Sequence, residues 1–124
     1  MDPAAAALER LSAICLALPE ATEKRDGHCC FRVRGKTFAW FLNNHHGDGR
    51  IALNCKAPPG EQAVLVASDP ERFFVPPYVG PSGWIGVRLE GEVDWDEVAE
   101  LVEESYRMTA PKRLLARLDA PPTG

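Results

Sequence analysis

Long apolar runs are missing from this chain of 124 residues, and so are the short signatures of common catalytic and nucleotide-binding centres. No stretch approaches the roughly 20 apolar residues that a membrane-spanning helix needs. Met1-Asp2-Pro3-Ala4 offers no basic n-region, so neither a signal peptide nor a transmembrane helix is expected. Four cysteines and three histidines are present, yet no CxxC or HxxxH spacing occurs. Structural zinc sites ordinarily show such paired ligands, so no metal is expected. Glycine-rich phosphate loops, a G-x-S-x-G elbow and a Ser-His-Asp constellation are also absent. Cys15, Cys29, Cys30 and Cys55 follow no secreted framework, which predicts reduced thiols in a cytoplasmic protein. Together these absences point away from an enzyme and from any cofactor.

What is present suits one globular domain spanning residues 1–124, with a frayed tail at 120–124. A chain of this length buries about two thirds of its unfolded surface without metal or disulfide help. The net charge of −4 counts against a protein that coats nucleic acid or an acidic membrane. The charges are unevenly placed, however. Residues 24–56 hold seven bases and two acids, whereas residues 90–104 hold eight acids and no base. A local basic patch is therefore compatible with the acidic total.

Residues 31–40 read as a tight β-hairpin. With Gly35-Lys36 as the two turn residues of a type II′ turn, Val33 faces Phe38 and Phe31 faces Trp40. Directly opposed residues share a face. One face is then Phe31, Val33, Phe38 and Trp40; the other carries Arg32 and Arg34, with Lys36 at the tip.

Around the hairpin, Asp2-Pro3 starts a helix whose Leu8, Leu11, Cys15 and Leu18 form an apolar stripe, ended by Pro19. Residues 20–27 look turn-like, and residues 43–49 form a polar loop. Arg50–Lys56 is a third strand with Ile51, Leu53 and Cys55 inward. Glu61–Ser68 is a short helix offering Ala63, Val64 and Val66 for burial. An extended, Pro-rich connection follows, and then a strand from Trp84 to Glu90 with Ile85, Val87 and Leu89 inward. Asp94 and Glu97 make a capping box for the main C-terminal helix, whose stripe is Trp95, Val98, Leu101, Val102, Ser105 and Met108. A last short helix docks through Leu114, Leu115 and Leu118. Short loops between adjacent strands favour antiparallel pairing. The predicted fold is an α+β two-layer sandwich, an antiparallel sheet with helices on one face.

Several segments, in their order and spacing, resemble the MmcQ/YjbR-like family. They are residues 15–21, Phe31 through Ala39, Asp69-Pro70, residues 76–80, residues 83–87 and Glu104-Ser105-Tyr106-Arg107. The resemblance implies a fold similar to that of the bacterial frataxin CyaY and a DNA-binding role. Frataxins carry an acidic ridge, which raises iron for Glu90 to Glu104. That ridge lies mainly on the N-terminal helix, whereas here the acids flank the C-terminal one. A solvated helix face is the better account, since hard cations need convergent oxygens.

Four candidate sites result. By alternation, Arg32, Arg34, Asn54, Lys56, Trp84 and Arg88 share the polar face of the sheet, with Lys36 beside them. Cations hold phosphates and an aromatic stacks on a base, so DNA or another anionic ligand is the expected partner. The competing account is an ordinary charged surface. The second candidate is a pocket near Tyr78, Trp84 and Tyr106, which would make the protein a small-molecule or protein-interaction module. Third, His28, Cys29, Cys30, His45, His46 and Cys55 are metal-ligand types in poor geometry. Fourth, Cys30 lies near His28, Lys24 and Arg25, but no orienting acid accompanies it. A monomer is expected.

Overall fold

The computed structural model describes residues 2–26, 28–44 and 49–120. Helix α1 (Pro3–Leu16) begins at Asp2, whose carboxylate accepts the Ala4 N–H at 3.1 Å. Pro3 at the first helical position loses nothing there, because that N–H has no intrahelical acceptor. Four strands follow: β1 (Thr22–Asp26), β2 (His28–Val33), β3 (Lys36–Asn43) and β4 (Ile51–Lys56). Helix α2 (Glu61–Ser68), the two-residue β5 (Phe73–Phe74) and β6 (Trp84–Arg88) come next. Helices α3 (Trp95–Thr109) and α4 (Lys112–Asp119) close the chain. The six strands form one antiparallel sheet in the order β1-β2-β3-β4-β6-β5.

The expected two-layer sandwich is therefore present, with two more strands than the alternation predicted. Residues 22–26 pair with β2 instead of turning, and the Phe73-Phe74 part of the extended connection pairs with β6. The apolar side of the sheet and the helices share one core. Phe31, Val33, Phe38, Phe41, Leu53, Ile85 and Val87 meet Leu11, Cys15, Val98, Val102, Tyr106 and Leu114 there. Leu65 and Val66 of α2 pack against its margin. Ala63 and Val64 of α2 are exposed, contrary to expectation, because α2 lies at the β5 margin of the sheet.

The hairpin differs from its predicted register for two reasons. Arg34 and Gly35, at φ 52° and 78°, are the turn residues, and Val33 pairs with Lys36. Positive φ at both central positions defines a type I′ turn. Phe31 pairs with Ala39 but Arg32 pairs with Thr37, so Phe38 is an extra residue in β3. A bulge of this kind shifts the alternation by one position. Phe38 and Ala39 are both buried in the core, and Trp40 turns to the opposite face, facing Cys30 and Asn54.

Ser105 of α3 fastens this irregularity. Its hydroxyl donates to the Phe38 carbonyl at 2.6 Å and accepts the Lys56 N–H at 2.9 Å. Asp94 caps α3 by accepting the Glu97 N–H. The capping box is not completed, because Glu97 holds Arg72 at 2.7 Å instead. Tyr106, not Met108, completes the buried stripe of α3. Its ring meets Phe38 edge-on at 5.4 Å, and its hydroxyl donates to the Pro19 carbonyl at 2.7 Å.

Candidate nucleic-acid interface

The face of the sheet opposite the helices is built by simple alternation from the observed registers. One row crosses the sheet from Lys24 through Cys30, Trp40, Asn54 and Gly86 to Phe74. A second, two residues along, holds Thr22, Arg32, Thr37, Lys56 and Trp84. Arg88 and Ala52 lie in a third row on the other side. Every apolar helix residue that packs inward belongs to the core on the far side. Four of the expected residues, Arg32, Lys56, Trp84 and Arg88, thus share a face that carries none of those helices.

Arg25, Arg72, Arg107 and Arg117 each hold a carboxylate. Arg32, Lys56 and Arg88 form no ion pair with any described residue. The Nε atoms of Arg32 and Arg88 are buried without a hydrogen-bond acceptor among the described residues. Burial, reinforced by repulsion from Lys36, pushes the Lys56 ammonium below the ordinary lysine range. That ammonium sits 6.0 Å from the Trp84 ring, and Arg50 lies 4.2 Å over the Phe74 ring. Such cation–π contacts keep charge at the surface without neutralising it.

Arg34 departs from the prediction. As a turn residue it leaves the strand alternation, and its guanidinium grips Glu20 through two bonds of 2.8 and 3.1 Å. That contact holds the Glu20 carboxyl below the usual carboxylate range. Lys36 ends the hairpin exposed, close enough to Lys56 to repel it. The predicted pocket of Tyr78, Trp84 and Tyr106 does not form. Tyr106 is fully buried on the helix side of the sheet, Trp84 lies on the open side, and Tyr78 is 81% exposed. Trp40 was not foreseen as a face residue, since only the bulge places it there.

The remaining candidates are distributed as follows. His45 and His46 lie outside the described residues, as do residues 121–124 of the predicted frayed tail and the side chain of His28. No group of three or more His, Cys, Asp or Glu residues converges among the described residues. All four cysteines are free and buried, and Cys30 is 2% exposed beneath the open face. No described helix is long and apolar enough to cross a membrane.

The family model described as YjbR matches residues 16–108. No curated protein matches the chain. Among solved structures, the crystal structure of Deinococcus radiodurans protein DR2400, with a DUF419 domain, is 22% identical. The match has a TM-score of 0.71 and covers 92% of this chain and 88% of that one, a likeness that shows a shared fold.

Proposed function

Since the chain belongs to the YjbR family, we propose that it is a non-enzymatic binding domain holding DNA on the open face of its sheet. One observation carries this reading: three cations on one face of the sheet, Arg32, Lys56 and Arg88, hold no carboxylate among the described residues. A buried Nε without an acceptor is costly, by about 1–3 kcal/mol. Phosphate oxygens at the outer ends of these side chains would supply the missing charge. Trp84 and Trp40 add aromatic surface of the kind on which bases stack. Cys30 is 2% exposed, which keeps its thiol out of a substrate's reach.

Fluorescence anisotropy with labelled single-stranded and duplex DNA tests the proposal. Three phosphates held by Arg32, Lys56 and Arg88 give a log–log salt slope of about −2 for a single strand. Affinity then falls roughly 20-fold between 50 and 200 mM salt. The double variant Arg32→Ala/Arg88→Ala brings the slope near −0.7, a loss of roughly threefold over the same range. Arg34→Ala leaves it unchanged. Failure to bind either form of DNA at 50 mM salt eliminates the proposal.

A further inference from the structure

Resting on that reading, we infer that the DNA held here is a single strand, and that Tyr78 at the border of the open face stacks on one of its unpaired bases. Tyr78 is 81% exposed, more than any other large apolar residue among those described. Its backbone lies at φ 67°, which residues other than glycine seldom adopt. The Val79 N–H donates to the Pro77 carbonyl at 2.7 Å and closes a three-residue turn around Tyr78. With positive φ at its centre, such a turn is rare and strained. Strain of this kind persists only where the surroundings impose it, and it gathers at functional sites. Here the Gly80 N–H holds the carbonyl of the fully buried Pro76 at 3.0 Å, fixing the turn from both ends. Packing of the ring into a core would offset the strain, but this ring points to solvent. The turn therefore serves to present an aromatic surface.

The location defines the ligand. The loop that carries Tyr78 joins Phe74 to Trp84, both on the open face. Gln62 pins that loop to the sheet: its amide nitrogen donates to the Gly80 carbonyl at 2.8 Å and to the Trp84 carbonyl at 2.6 Å. Tyr78 stands two residues before Gly80, a span of at most about 7 Å. It thus borders the end of the sheet where Trp84 and Lys56 pair, in the same row as Arg32 and near the exposed Lys36.

Cations set between aromatic rings suit a strand whose phosphates and bases alternate. Stacking on Tyr78 requires a base with a bare face. Within a duplex both faces of each base are covered by the neighbouring pairs, so the exposed ring selects an unpaired base. Every base has such a face, and no sequence preference is expected from this contact.

The full-length chain is titrated at 50 mM salt with labelled oligo(dT) and, separately, with relaxed circular duplex DNA, which has no ends to stack on. Tyr78→Ala is expected to weaken oligo(dT) binding roughly tenfold at an unchanged salt slope, and to leave duplex binding as it was. Tyr78→Phe retains the ring and the affinity. Tyr78→Gly accepts positive φ freely, so it loses the same affinity while its melting temperature holds, which separates stacking from folding. Unchanged oligo(dT) binding by the alanine and glycine variants, or an equal loss on the circular duplex, overturns the inference and leaves the cationic face standing. Absence of salt-dependent binding to both forms of DNA removes the cationic face and the inference together.

Discussion

Replacing Ser105 by alanine tests how the sheet's irregular centre is held. Ser105 is fully buried, and its hydroxyl serves two backbone groups 67 and 49 residues away in sequence. Alanine removes the donor to the Phe38 carbonyl and the acceptor for the Lys56 N–H. Each bond contributes about 1 kcal/mol net, and each stranded buried partner costs about 1–3 kcal/mol. With partial relaxation, the expected loss is about 2–4 kcal/mol. Domains of this kind are stable by only about 5–15 kcal/mol, so the change is large. Urea unfolding followed by tryptophan fluorescence should show the midpoint falling by about 1–2 M at an unchanged slope. The salt slope of DNA binding should flatten too, because the same hydroxyl fixes the strand end that presents Lys56. A loss below about 0.5 kcal/mol would refute the argument: the bulge would then be set by packing of Phe38 alone.

Four further outcomes are expected. Gly86→Ala drives a methyl into the Phe74 ring and should cost about 1–3 kcal/mol in the same urea assay. Tyr106→Phe removes the bond to the Pro19 carbonyl and should cost about 1 kcal/mol by thermal melting, without altering DNA binding. Lys56 has its folded pKa lowered, so the native state sheds that proton before the unfolded chain does. Stability from this group rises as pH climbs from the lowered value to the ordinary one, while DNA affinity falls. Lys56→Arg, titrated by anisotropy across that window, should hold its affinity. Finally, burial raises the Cys15 thiol strongly, Cys29 to about 11 and Cys55 to about 12. Cys30 is buried as well, so Ellman's reagent at pH 8 should find almost no reactive thiol in the native protein and four after denaturation.

Much of the layer arrangement was legible because it follows from alternation. Ile85, Val87 and Leu89 turn inward as read, and Asp94 caps its helix. The hidden features have physical reasons. Strand β1 is polar on both sides, and an edge strand needs no apolar face. The hairpin contains one glycine, which suits either turn position. Without the bulge at Phe38, nothing in the residue types says that Trp40 leaves the core. Tyr106 could have been found from Val98 and Val102, since the same helical spacing continues to it. The grip of Arg34 on Glu20 joins residues 14 apart across a turn that has no periodic signal. The open-face cations were legible wherever the strand register was right, and Asn54 was read onto that face without its recessed, unanswered oxygen being visible.

The ends of the strand order also have a consequence for the protein at high concentration. At one border stands Thr22-Glu23-Lys24-Arg25-Asp26, charged at four of five positions; at the other, a strand only two residues long. A stray chain seeking a backbone ladder must strip water from a row of charged side chains on the first side and finds almost no ladder on the second. Light scattering of concentrated solutions should accordingly show no growth by strand addition.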